Sequence, residues 1–302
     1  MLGPAHRAGA AANAYYRANP VKYDLVDRRC IVTGASSGIG KEVARNLAYF
    51  GATVVLACRD RDRGSVALQE IANDSGNDRV TMLQLDVSSR ASLRAFVKNV
   101  TAGGPVHVLV NNAAVMCRER RVGIDGFEQT WATNVLGYFA LSNLLLPAMR
   151  RAAPGRIVHV ASTYARGLDL GDVQFERRRW AGMAAYAASK QADRMLAWRL
   201  AEIAARDAIS VHACHPGAVG SGLFREQPNW MTRLMRLGSG WALKSAAEGA
   251  LTPTFVAADP EVSSQTGRWW VDRRARPCPF AADKAQLEAL WRVCAEQAQC
   301  DA

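Results

Sequence analysis

The sequence predicts an α/β fold: a single doubly wound, seven-stranded parallel sheet with helices on both faces. Three observations point to it. From Arg28 onward, short β-type apolar runs alternate with stretches of helical period, the signature of consecutive βαβ units. The length of 302 residues suits one large α/β domain or two small ones, and neither an internal repeat nor a linker divides the chain. Breakers such as Pro216-Gly217 and Pro228 fall between the periodic segments, where turns belong. With 49% hydrophobic and 22% charged residues, the composition is that of a globular protein with a sizeable core, which argues against long disorder or fibrous repeats. No uncharged apolar run reaches the roughly 18 residues that span a bilayer.

Strands are expected at 30–33, 53–58, 80–85, 106–111, 156–161, 209–214 and 268–271, each a run of mainly Val, Ile, Leu or Ala bounded by polar or turn residues. Helical periodicity lies between them at 38–50, 62–73, 90–100, 126–151, 184–206 and 246–258, with a last helix over 283–297. The domain is taken to run over 25–302, behind an N-terminal arm of residues 1–24.

The first strand leads through Thr33-Gly34-Ala35-Ser36-Ser37-Gly38-Ile39-Gly40 into the first helix. Glycines here allow a tight turn and close approach of backbone to a pyrophosphate, and the helix start supplies free N–H groups and the positive end of the dipole. An ordinary strand-to-helix turn is the competing reading. The second strand ends Ala57-Cys58-Arg59-Asp60. Cys58 stands where a carboxylate would bind the ribose 2′-hydroxyl of NAD, and Arg59 is a cation able to pair with the 2′-phosphate of NADP. NADP(H) is therefore expected over NAD(H), with a solvated loop cation as the bland alternative for Arg59. In the helix predicted at 184–206, Tyr186 and Lys190 are four apart and share a face. A nearby ammonium stabilises a phenolate, which suits Tyr186 to acid/base work. By itself a Tyr-x3-Lys pair is usually structural.

Together these motifs resemble the short-chain dehydrogenase/reductase family, and the resemblance covers about residues 25–297. It implies a Rossmann-type sheet. It also implies that Gly34, Ser36, Ser37, Gly38, Ile39 and Gly40 form the cofactor loop, Asp86-Val87 the adenine contact after the third strand, and Asn112 and Ala113 part of the Asn111-Asn112-Ala113-Ala114 motif after the fourth. Asn134, Ser162, Tyr186 and Lys190 would be the catalytic tetrad, and Pro216, Gly217, Val219 and Ser221 the turn beside the nicotinamide. Tyr186 would carry the proton, Ser162 hold the substrate oxygen, Lys190 lower the Tyr186 pKa and hold the ribose, and Asn134 hold a water linking Lys190 to solvent. Ala114 and Ala161 are mild departures from the family pattern. The 24-residue step from Ser162 to Tyr186 is longer than usual and implies an inserted loop. That insert, the Ala57–Asp60 run and the Thr266-Gly267-Arg268-Trp269-Trp270 pattern are similar to the retinol-dehydrogenase-like and WW-domain-oxidoreductase-like branch. The resemblance implies an NADP-linked oxidoreductase acting on a small hydrophobic carbonyl or alcohol such as a retinoid, steroid or lipid aldehyde, and commonly a homo-oligomer. An accessory subunit that keeps the fold and bound NADP(H) is the alternative.

The formal charge is +11 and is carried chiefly by arginine. Three clusters, Arg118/Arg120/Arg121, Arg177/Arg178/Arg179 and Arg273/Arg274/Arg276, follow predicted strand ends, so a basic rim facing an anionic membrane surface or an acidic protein is one expectation and plain solvated loops the other. No stacking aromatics interleave with them, which argues against nucleic acid. Trp230, Leu234, Leu237 and Trp241 would form one apolar helical stripe, read equally as core, substrate cover or membrane-surface helix. His212, Cys214 and His215 lack a neighbouring carboxylate at ligand spacing, and no metal is expected. Seven cysteines, an odd number with no CxxC pair, fit an intracellular reducing compartment, cytoplasmic by default. The acid-free residues before Asp24 leave a mitochondrial location as the alternative.

Overall fold

The structure is a computed structural model that describes Tyr16, residues 23–219 and residues 244–300. Its strands are β1 (Arg29–Thr33), β2 (Thr53–Cys58), β3 (Val80–Gln84), β4 (Val108–Asn111), β5 (Gly155–Val160), β6 (Ile209–His215), β7 (Arg268–Val271) and β8 (Arg274–Arg276). They form one sheet in the order β3-β2-β1-β4-β5-β6-β7-β8. β1 through β7 pair in parallel, Val32 beside Leu56 on one side and beside Val110 on the other.

Among the described residues the expectation of seven strands is corrected to eight. β8 returns antiparallel along β7, with Val271 opposite Arg274. The reversal is made by two consecutive left-handed residues, Asp272 (φ 48) and Arg273 (φ 61), the conformation of a two-residue hairpin turn. Neither is a glycine or asparagine, so the turn carries no sequence flag, and Arg274 and Arg276 lie on a strand where a loop is expected.

Alternation along the strands builds two cores. Ile31, Val55, Ala57 and Leu109 point into one, while Cys30, Val32, Val54, Leu56 and Val110 point into the other. Helices α1 (Gly38–Tyr49), α2 (Arg61–Ser75) and, through Ala250, Val256 and Ala257, α6 (Ala246–Ala258) cover the second. Helices α3 (Arg90–Ala102), α4 (Gly137–Arg151), α5 (Gly182–Ala204) and α7 (Lys284–Ala298) cover the first. With both faces sealed, the strands must be apolar at nearly every position. Tyr16 and Tyr23, from the predicted arm, stack edge-on against Phe50 in the second core.

The long helix expected at 126–151 is in fact composite. Gly126 is left-handed (φ 84), and the Glu128 carboxylate caps the next turn by accepting from the N–H groups of Thr130 and Trp131. The chain then passes through Gln129–Trp131 and a buried π-helical turn, Ala132–Leu136, before α4 begins.

Candidate active site

Strand order reverses between β1 and β4, one leading to β2 and the other to β5, so a crevice opens at their carboxyl ends. A cavity of about 530 Å³ lies there. Thr33 splices its floor: its hydroxyl accepts from the N–H groups of Asn112 (2.9 Å) and Ala113 (3.0 Å), and the Asn112 carboxamide donates to the Thr33 carbonyl (2.9 Å). Gly34 is left-handed (φ 66), and a Cβ there would lie 2.9 Å from the Cα of Ala113; at Gly40 it would meet Asn112 Nδ2 and stand 2.6 Å from the Gly34 carbonyl oxygen. A side chain at either position would fill the cradle or part the two strand tails.

Of the residues singled out from sequence, Gly34, Ser36, Ser37, Gly38, Ile39, Arg59, Asp86, Val87, Asn112, Ala113, Tyr186, Lys190 and Pro216 line this one cavity. Gly40, Asn134, Ser162, Gly217 and Val219 are not part of its lining, although Ser162 reaches it through a side-chain hydrogen bond to Tyr186. Ser221 and the stripe from Trp230 to Trp241 lie outside the described residues. The glycine cradle, the α1 N-terminus and the crevice fit a dinucleotide lying across β1 and β4.

At the β2 end the charged groups are exposed. Asp60 caps α2 by accepting from the Arg63 N–H (3.0 Å), and the Arg63 guanidinium reaches back to the Ser37 hydroxyl (3.3 Å). Arg59 and Arg63 thus border the cavity together. Arg63 was not among the residues the motifs single out, yet it stands four residues beyond Arg59, one helical turn into α2. Asp86 is partly committed: its Oδ1 accepts from the Ser88 N–H (2.9 Å) and hydroxyl (2.6 Å).

At the α5 end Lys190 and Asp193 are buried. Lys190 is 1% exposed, and its Nζ donates to the Val160 carbonyl (3.0 Å) and to Asp193 Oδ2 (2.7 Å). The same Nζ lies 5.8 Å from the Tyr186 ring centre and 5.1 Å from that of Tyr138. Tyr186 lines the cavity from the first turns of α5, in surroundings that raise its pKa above 10. Burial dominates, Lys190 pulls the value down, Asp193 pushes it up, and the hydrogen bond with Ser162 lowers it. The expected pull of Lys190 is thus present but outweighed by burial, to which the Asp193 carboxylate against the ammonium adds a smaller upward push.

Asn134, held in the π-helical turn, spends both ends of its carboxamide on protein. Oδ1 accepts from the Val115 N–H (2.9 Å), and Nδ2 donates to the Val115 carbonyl (3.0 Å) and the Ser189 hydroxyl (2.9 Å). This pins the tail of β4 to α5 and leaves one Oδ1 lone pair for the expected water. Asp193 likewise belongs to no motif; its only signal in the sequence is its position three residues beyond Lys190.

The insert between Ser162 and Tyr186 is folded around Asp172. Burial would raise the Asp172 pKa, but the N–H groups of Glu176, Arg178 and Arg177 and the Arg178 guanidinium hold it down at about 2. The insert is tied to the β4 tail by Trp180 Nε1 donating to the Arg118 carbonyl (3.0 Å) and Arg120 Nε donating to the Gln174 carbonyl (3.0 Å). Two members of the expected basic rim therefore hold acids of the insert: Arg178 pairs with buried Asp172 and Arg120 with exposed Glu176.

His212 accepts from Trp270 Nε1 through Nδ1 (3.2 Å), a buried structural contact. Among the described residues no group of three or more His, Cys, Asp or Glu could hold a metal ion, and no helix is long and apolar enough to cross a membrane.

Comparison with known proteins agrees with this geometry. The short chain dehydrogenase family matches residues 28–232. Polyprenol dehydrogenase of Mus musculus is 39% identical over 90% of this chain and 84% of its own, and retinol dehydrogenase 12 of Homo sapiens is 37% identical over 88% and 84%. Among solved structures, L-sorbose reductase from Gluconobacter frateurii, complexed with NADPH and L-sorbose, superposes with a TM-score of 0.67 at 25% identity, covering 83% of this chain and 96% of that one.

Proposed function

The chain belongs to the short-chain dehydrogenase family, and from that premise we propose that it is an NADP(H)-dependent oxidoreductase interconverting a hydrophobic alcohol and its carbonyl, with Tyr186 as acid and base. One observation carries the reading: Tyr186 and Lys190 share a single cavity with the glycine cradle and with Arg59 and Arg63. When bound, the nicotinamide cofactor supplies or accepts the hydride. The glycine loop and the α1 N-terminus would receive its pyrophosphate, and the guanidiniums of Arg59 and Arg63, the latter on the Ser37 hydroxyl, would take a 2′-phosphate where NAD would offer only hydroxyls.

Tyr186 gives its phenolic proton to the substrate oxygen on reduction and takes it back on oxidation. Ser162, bonded to Tyr186, donates to the same oxygen as charge gathers there, a contact stronger in the transition state than in the ground state. Lys190 has used two of its three donor hydrogens on Val160 and Asp193, leaving one for a ribose hydroxyl. Apolar groups near this end, Val115, Met116, Val160 and Ala161 among them, favour a hydrophobic substrate, and two relatives are named for alcohols, polyprenol and retinol. Buried thiols at Cys30, Cys58, Cys214 and Cys294 suit a reducing compartment.

The test is Tyr186→Phe. NADPH oxidation with hydrophobic aldehydes and ketones should fall about 1,000-fold while NADPH affinity, followed by fluorescence, stays near wild type. Undiminished turnover removes Tyr186 as the proton donor.

A further inference from the structure

We infer that Asp193 is a positioning residue: its carboxylate, locked against Lys190 inside the protein, offsets the Lys190 charge at Tyr186 and so sets how readily Tyr186 releases its proton. The inference rests on the proposed role of Tyr186 and adds to it a residue acting through Lys190.

Lys190 and Asp193 are three apart on α5 and share a face. The ammonium and Asp193 Oδ2 are 2.7 Å apart, and both side chains are almost wholly removed from solvent. Burying such a pair is a poor route to stability, because desolvation cancels much of the attraction. The second oxygen makes the point sharper: Asp193 Oδ1 is buried without a hydrogen-bond partner. Glu128, the buried acid that caps the helical turn before Asn134, uses both its oxygens on backbone N–H groups. A carboxylate kept only for packing would be satisfied in the same way.

What Asp193 does satisfy is Lys190, and Lys190 faces Tyr186. An isolated ammonium 5.8 Å from the ring would draw the phenol strongly toward phenolate. An ammonium with a carboxylate in contact presents a dipole, whose influence falls off faster with distance.

The groups facing this pair from the other elements are neutral near pH 7. Burial raises Tyr138 on α4, Cys214 on β6 and Cys294 on α7. On β5, burial pushes His159 down to about 4, although its Nδ1 lies 3.2 Å from the Asp193 carbonyl. Lys190 is therefore the charge that Asp193 answers. Burial lifts the Asp193 carboxyl itself to about 7 against the pull of Lys190, and the Asp193 charge in turn raises Tyr186.

The test needs neither cofactor nor substrate. Tyrosinate absorbance of the ligand-free protein is titrated with pH, and each protein is subtracted against its Tyr186→Phe counterpart so that the difference reports Tyr186. Asp193→Asn should move the Tyr186 midpoint down by about one pH unit or more, and the Tyr186-dependent limb of the turnover profile should move with it. An unmoved or raised midpoint in a folded Asp193→Asn protein overturns the inference. If Asp193→Asn does not fold, Asp193→Ser supplies the same neutral comparison; failure of both to fold also overturns it, by assigning the carboxylate to structure. Should Tyr186→Phe keep full turnover, the proposed function falls, yet the titration still decides what Asp193 does to the phenol.

Discussion

The two ends of the cavity handle charge in opposite ways. At the β2 end Arg59 and Arg63 stand in solvent, tied down by little more than the Ser37 hydroxyl. At the α5 end Lys190 and Asp193 are sealed in the core, in contact with each other and with opposite pulls on Tyr186. Exposed cations recognise a ligand's charge at little folding cost, because water solvates them until the ligand arrives. Buried groups gain their effect from low dielectric and must be matched in place. The first arrangement should yield to mutation piecemeal, and the second only as a unit.

The largest effect expected on cofactor binding tests the exposed end. Arg59→Ala with Arg63→Ala should weaken NADPH binding about 100-fold, roughly tenfold for each lost charge-assisted contact, and leave NADH binding nearly unchanged. Near-additive single variants, measured by fluorescence titration, would confirm that the two guanidiniums act independently, and strong non-additivity would erase the contrast between the ends. A smaller effect is expected where the ends are joined. Gly40→Ala forces a methyl toward the Gly34 carbonyl and the Asn112 carboxamide and should cost about 1–3 kcal/mol in denaturant unfolding, with NADPH affinity falling alongside.

The smallest concerns Asp172, an acid that is matched in place but outside the cavity. Its folded pKa is depressed to about 2 from an ordinary 3.8, so its contribution to stability is present above the ordinary value and lost as pH falls through the folded one. Asp172→Asn should therefore lower the unfolding midpoint modestly near pH 6, and the gap to wild type should close toward pH 2. A gap that persists at pH 2 would mean that the carboxylate charge is not what holds the insert.

The sequence was most legible where function and fold make the same demand. A parallel sheet sealed on both faces needs apolar strands, and the glycine loop needs small residues at fixed spacing, so β1, α1 and the cradle stand out in the sequence itself. Tyr186 and Lys190 are visible because a helix turns a spacing of four into a shared face. Partnerships across the fold are not visible in that way. Nothing local says that the Asn134 carboxamide is consumed by Val115 and Ser189, since that depends on a π-helical turn whose extra residue has no signature. Asp193 reads as one more polar residue in a helix until burial reveals it as the counter-charge of Lys190. Likewise β8 has no sequence signal because Asp272 and Arg273 adopt left-handed backbone that their side chains do not advertise.

That last strand also decides how the sheet ends. β8 is three residues long, every one exposed, with arginine at both ends and Pro277 immediately after it. An open strand edge is a template for a neighbour's backbone, but short length, repeated like charge and a residue without an N–H are each poor partners for a further strand. At this edge the fold carries its own defence against polymerisation: two molecules meeting there bring arginine against arginine.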